Sequence, residues 1–206
     1  MILLSDPRVA AVPLARSDDR LCTLDARFGP ARARVRTGLA DRLATAAALL
    51  PPAVRLQVVE GHRPVTRQRA IISGYAATVA QAHPDASAEE QRHLVSRFVS
   101  PVDVAPHVAG AAVDLTLADA GTGAELDLGT AIDATPEESG GRCFTDAADI
   151  SPAARAHREL LASVLREAGL VNYPTEWWHW SFGDRYWALS TGAPAGLYGP
   201  VPEVDR

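Results

Sequence analysis

The stretch Val113-Asp114-Leu115-Thr116-Leu117 constrains this chain more than any other. Apolar and polar residues alternate with the period of a strand, so one face is committed to a core while the other presents Asp114. An unpaired carboxylate is costly to bury. Asp114 therefore either faces water or has partners set aside for it, and which of the two holds depends on what the rest of the chain brings near it.

Around this strand the elements follow in order. Leu39, Leu43, Ala46 and Leu50 recur at helical spacing until Pro51-Pro52, which predicts a helix over about 33–50. Val54, Leu56 and Val58 alternate with Arg55 and Gln57 until Gly61, a strand that delivers Glu60-Gly61-His62-Arg63-Pro64 to its end. A second helix is expected over about 66–82. The capping box Ser87-Ala88-Glu89-Glu90 opens a short one that runs to about Phe98. Residues 118–150, rich in Gly, Asp and Thr, read as a long irregular excursion, extended at 124–128. Ser151-Pro152 starts a helix that Gly169 closes, and 170–173 and 177–182 read as short strands interrupted by Pro174. This order predicts an α+β fold: a small antiparallel sheet with helices packed to one side. The chain has neither GxGxxG after a strand nor GxxxxGK[ST], so a nucleotide-binding α/β fold has no phosphate loop to rest on.

Composition narrows the function. With 206 residues and 47% hydrophobic content, the chain reads as one domain. A chain of this length buries roughly 70% of its unfolded surface, so any metal would serve chemistry rather than folding. The net charge is −5 and every one of the 20 basic residues is Arg, dispersed along the chain, which argues against a nucleic-acid partner. The densest basic stretch, Arg27, Arg32, Arg34 and Arg36, reads as a solvated face. No apolar run has the length or flanks of an export signal or a membrane span, and Cys22 and Cys143 have no paired spacing. A reduced, cytoplasmic setting without a membrane partner is expected.

Of the six histidines, two stand beside carboxylates. His107 lies seven positions before Asp114, with Gly110 able to make the tight turn between them, and His179 lies three after Glu176. His62, His83, His93 and His157 have no such partner and read as surface residues. A His, Asp, His set suits a catalytic zinc, which takes three protein ligands and keeps the fourth position open. Trp177, Trp178 and Trp180, three of the four tryptophans, surround Glu176 and His179. An apolar wall raises a carboxylate's pKa, as a general base near neutrality requires; the alternative is a core-packing Trp cluster with an exposed Glu. Strict alternation would put Glu176 and His179 on opposite faces, so a bend between them is expected if they act together. Arg63, held before Pro64, suits an oxyanion or carboxylate, or a structural salt bridge.

These residues carry a resemblance. Ala105-Pro106-His107-Val108-Ala109-Gly110-Ala111-Ala112-Val113-Asp114, with Glu176-Trp177-Trp178-His179, is similar to the S-x-H-x-x-G-x-A-x-D and E-x-W-H patterns of VanX-type D-alanyl-D-alanine dipeptidases. These are zinc enzymes related to D,D-carboxypeptidases and, more remotely, to hedgehog signalling domains. The likeness covers roughly residues 33–187. It implies a hedgehog/D,D-peptidase-like fold in which His107, Asp114 and His179 bind Zn2+, Glu176 is the catalytic base and Arg63, in the turn Gly61-His62-Arg63-Pro64, steadies the transition state. Asp133 stands where the family holds the substrate's ammonium, which favours a small dipeptide as substrate. The resemblance leaves open a D,D- or L,D-carboxypeptidase acting on cell-wall precursor peptides, and a non-catalytic zinc-binding domain. One departure is Ala105, where the family has Ser. Residues 1–206 are expected to form a single zinc peptidase domain, and the resemblance assigns nothing to the N-terminal segment 1–30.

Overall fold

The computed structural model describes residues 1–202. In chain order its elements are α1 (Pro7–Ala11), β1 (Leu21–Thr23), β2 (Arg34–Arg36), α2 (Thr37–Ala48), β3 (Val54–Glu60), α3 (Val65–Ala82), α4 (Ala88–Val95), β4 (Ala112–Asp119), α5 (Pro136–Ser139), α6 (Pro152–Glu167), β5 (Val171–Asn172), β6 (His179–Ser181) and α7 (Arg185–Thr191). Four strands form one antiparallel sheet in the order β3-β4-β6-β5, and β1 pairs with β2 in a separate ribbon. The architecture is the expected mixed one, antiparallel strands with helices.

The sheet is organised by the two faces of β4. Val113, Leu115 and Leu117 enter the main core with Leu56 and Val58 of β3, Leu39 and Leu43 of α2 and Leu161 and Leu165 of α6. In the β3–β4 register Leu56 faces Leu117 and Val58 faces Leu115, which puts these apolar pairs on a shared face. The register then shifts between Val58 and Glu60, so that Glu60, not Val59, lies opposite Asp114. This bulge turns an acid at the strand end onto the face that carries Asp114. That second face is also covered: Asp114 and Thr116 are 3% and 2% exposed.

Four local departures from the sequence reading have physical causes. The first long helix starts at Thr37 because Arg34–Arg36 is drawn into the ribbon with Leu21–Thr23. Arg36 is accordingly no solvated residue: it donates to the carbonyls of Ala109 at 2.9 Å, Asp19 at 2.6 Å and Gly199 at 3.1 Å. Arg27, Arg32 and Arg34 are exposed as expected. The segment 177–182 is a strand only over His179–Ser181, with a turn before it. α7 had no periodic apolar signal; Asp184 opens it by accepting from the N–H groups of Tyr186 and Trp187, and left-handed Gly192 closes it. Among the described residues no helix is long and apolar enough to cross a membrane.

Candidate active site

β4 and β6 place Asp114 directly opposite His179, so their side chains leave the sheet on one face. His107 reaches the same point from the loop before β4. Gly110 adopts φ +66°, a conformation that L side chains rarely take, and a Cβ there would meet Leu21 at 2.5 Å, so the turn from His107 into the strand needs glycine. His107 Nδ1 donates to Gly61 O at 2.8 Å, which leaves Nε2 as a bare lone pair aimed inward. That Nε2 lies 3.0 Å from His179 Nδ1 and 3.2 Å from Asp114 Oδ2, and His179 Nδ1 lies 3.1 Å from Asp114 Oδ1.

Three buried acceptors crowded this closely repel one another unless a cation or proton sits among them. Donors ~2.0–2.2 Å from a tetrahedral zinc stand ~3.3 Å apart, so the observed separations and the N, N, O donor set both fit a divalent ion of this kind. The Nδ1–H to Gly61 bond fixes the tautomer and ring orientation such a ligand needs. Asp114 is held well below the usual carboxylate range: burial alone would raise it, but the imidazoles of His107 and His179 outweigh that effect.

Glu176 stands beside this cluster, its Oε2 3.7 Å from His179 Nδ1. The bend expected between the two is present. His179 N–H donates to Glu176 O at 3.3 Å, and the Asn172 side-chain amide clamps the turn by donating to the carbonyls of Glu176 at 2.9 Å and His179 at 3.0 Å. Trp177 N–H donates to Cys143 O, and its indole donates to Thr130 Oγ1 at 2.8 Å, which ties the turn to the long excursion. Glu176 is 6% exposed, so it is not the solvated acid of a mere Trp cluster. Burial, helped by the charges of Asp114 and Asp133, pushes its carboxyl well above the ordinary value.

Arg63 stands beside Asp114, with Nη2 3.9 Å from Oδ2, and is pinned by two other partners. Its Nε donates to Glu60 at 3.0 Å, Nη2 donates to the second Glu60 oxygen, and Nη1 donates to Gln68 at 2.9 Å. Gln68 in turn donates to Ser100 O at 2.8 Å. The salt-bridge reading of Arg63 thus holds without removing it from the site, because the bridge orients the guanidinium. Asp133 lines the same cavity at φ +64°, one of two non-glycine residues with positive φ among those described. Burial first, then Asp114 and Glu60, raises its carboxyl. Of the residues singled out in sequence, His107, Asp114, His179, Glu176, Arg63 and Asp133 all line one cavity.

The cavity holds about 270 Å3, below the ~300–1,000 Å3 typical of sites for drug-sized ligands. Leu4 from the N-terminal segment, Phe98, Ala105 and Tyr173 wall it. Tyr173 is locked by donating to Ser96 O at 2.7 Å and accepting from Leu4 N–H at 3.3 Å. A larger hollow of about 1100 Å3 lies between residues 1–7 and α4 and contains none of the cluster. Sequence reasoning passed over Glu60, Gln68, Asn172 and Tyr173. Only Glu60 carried a usable signal, an acid ending an apolar strand, the same argument that singles out Asp114.

The peptidase M15 family described as D-ala-D-ala dipeptidase matches residues 27–191. A D-alanyl-D-alanine dipeptidase of Synechocystis sp. is 30% identical over 176 residues, 75% of this chain and 71% of that one. Among solved structures, a vancomycin-resistance D,D-pentapeptidase VanY from a VanB-type cassette, in complex with Zn(II), matches at 16% identity and TM-score 0.48, covering 90% of each chain. VanYB in complex with D-alanine-D-alanine matches at 16% identity and TM-score 0.49, covering 91% of this chain and 94% of the other. The match over residues 27–191 spans every residue of the His107, Asp114, His179 and Glu176 cluster, and the chain belongs to the D-Ala-D-Ala dipeptidase family of M15 peptidases.

Proposed function

We propose that the protein is a zinc-dependent dipeptidase that hydrolyses D-alanyl-D-alanine or a similar D-amino-acid dipeptide. The observation that carries this reading is the convergence of His107 Nε2, His179 Nδ1 and the Asp114 carboxylate, with the buried Glu176 carboxylate 3.7 Å from one of them. The family match and the Synechocystis relative support the substrate class.

His107, Asp114 and His179 would hold the ion, which when bound acts as a Lewis acid on the peptide carbonyl and lowers the pKa of water to ~7. Glu176 accepts a proton from the attacking water and returns it to the leaving amine, so that one water is consumed and two free amino acids form. Burial, which raises its pKa, makes its carboxylate a stronger proton acceptor. Arg63, oriented by Glu60 and Gln68, donates to the developing oxyanion. Asp133 pairs with the substrate's ammonium, a group that a longer peptide does not present at that position. The small cavity favours the same limit on length.

Purified protein supplied with zinc and offered D,D- and L,D-dipeptides beside longer D-Ala-D-Ala-ended peptides decides between readings by the amino acid released. The dipeptidase reading expects release from D-alanyl-D-alanine and little from the longer peptides. Preferential trimming of the longer peptides would make the protein a carboxypeptidase. Absence of release from every peptide by a zinc-loaded protein would leave only a binding domain. Glu176→Ala is expected to retain zinc while turnover falls by at least about a hundredfold; near-normal turnover would remove Glu176 from the mechanism.

A further inference from the structure

A free dipeptide brings a carboxylate as well as an ammonium, and the cavity that must receive both is strongly acidic. Glu60, Asp114, Asp133 and Glu176 all line it. Most side-chain donors in the lining are already engaged. Arg63 donates to Glu60 and Gln68 and turns its remaining N–H groups to the oxyanion, Gln68 donates to Ser100 O at 2.8 Å, the Ser100 hydroxyl to Pro101 O at 3.1 Å, and the Tyr173 hydroxyl to Ser96 O at 2.7 Å.

Arg67 differs from all of these. It lies one turn beyond Arg63 in α3 and lines the same cavity. Among the described residues it makes a single ion pair, Nη1 to Glu60 Oε1 at 3.3 Å, and its side chain is 65% exposed. Both oxygens of Glu60 are already engaged by the Nε–Nη2 edge of Arg63, so Arg67 rests on the outer side of a carboxylate whose charge is largely answered. Its guanidinium therefore keeps N–H groups for a planar, two-oxygen anion arriving at the mouth. Its place in the first turn of an 18-residue helix adds a field that favours negative charge.

We propose that Arg67 binds the C-terminal carboxylate of the substrate at the mouth of the cavity and so confines the site to peptides that end in a free acid. This rests on the hydrolase reading and extends it to the second end of the substrate. Asp133 and Arg67 then read the two charges of one zwitterion.

The test is made on zinc-loaded Glu176→Ala protein, titrated calorimetrically with D-alanyl-D-alanine and with its C-terminal amide. The acid is expected to bind about tenfold or more tightly than the amide, as a charge-assisted hydrogen bond allows. Arg67→Gln in the same background should bring the two ligands to within about twofold, and Arg67→Lys should restore part of the preference. In the active protein Arg67→Gln should raise KM for the acid by a similar factor and leave kcat within about threefold, a split that loss of packing alone does not produce. Equal binding of acid and amide, a preference that survives Arg67→Gln, or binding of neither ligand would each overturn the assignment. Amino-acid release by the wild-type protein in any of those cases leaves the hydrolase reading standing, whereas its absence with every peptide is the failure of that reading instead.

Discussion

Residues 107–119 and residues 120–150 adjoin in the chain and lie against the same site, yet they are held in place by different means. In the first, strand pairing sets every direction: Asp114 faces His179 because β4 and β6 pair in one register, and Val113, Leu115 and Leu117 occupy the other side. In the second, beyond one bridge between Ala118 and Glu125, there is almost no ladder. Its backbone is gathered largely by side chains of α6, Arg155 at Ala147 and Ala148, His157 at Asp127, and above all Arg158. Arg158, 4% exposed, donates to the carbonyls of Leu128 at 2.7 Å, Phe144 at 2.7 Å, Thr145 at 3.3 Å and Arg142 at 2.8 Å, and lies over the Trp177 ring. Burial draws its pKa down to about 10, still leaving it charged at neutral pH. The first region aims side chains through backbone pairing, and the second aims a backbone through a side chain. The difference teaches where each fails: a register breaks only with the sheet, whereas a gathered loop hangs on individual side chains, Arg158 foremost.

The largest effect that would sharpen this contrast is expected from Asp114→Ala. It removes the proposed oxygen ligand and leaves two imidazoles facing each other, so zinc measured by elemental analysis should fall far below one per chain and turnover should drop by about a thousandfold or more. The strand should persist in circular dichroism, since its apolar face is untouched. Retention of stoichiometric zinc would show that the register does not deliver the ion site.

Arg158→Met should act on stability before chemistry. Four carbonyls lose a donor, with only Phe144 O keeping another in the Ala147 N–H, and denaturant unfolding should show a loss of ~2–4 kcal/mol, with zinc content unchanged because His107 and Asp114 lie in the other region and His179 on the strand paired with it. Loss of zinc together with stability would break the distinction between the two regions.

The smallest effect is expected from Asp133→Asn. Asn tolerates left-handed backbone as Asp does, so stability should stay within ~0.5 kcal/mol of the parent. The charge proposed to meet the substrate's ammonium is gone, however, and KM for the dipeptide should rise about tenfold with little change in kcat, read by steady-state kinetics. An unchanged KM would remove Asp133 from substrate binding.

The same contrast explains what was legible in the amino-acid chain. β3, β4 and α6 were readable because an element with one apolar face leaves a period of two or of 3.6 in the residues that form it. Asp114 stood out as an acid breaking into such a pattern, and the spacing of His107 and His179 from carboxylates marked the rest of the cluster. α7 and the ribbon of β1 with β2 left no such mark. The first is a short helix made by a cap, and the second draws Arg34–Arg36 out of what reads locally as a helix start. Arg36 left no mark for the same reason: its three carbonyl partners, on Asp19, Ala109 and Gly199, are far away along the chain.

By itself the sequence determined which side chains could carry chemistry and which strand faces must be covered, because ligand chemistry and burial periodicity are local properties of residue type and spacing. Only the tertiary structure decided that Glu60 turns onto the site through a bulge, that Arg63 is aimed by Glu60 and Gln68, that Asn172 clamps the turn carrying Glu176, and that Arg67 stands at the mouth. Each of these depends on a partner brought close by packing. A donor's direction is set by its acceptor, and the acceptor's position is a property of the whole fold.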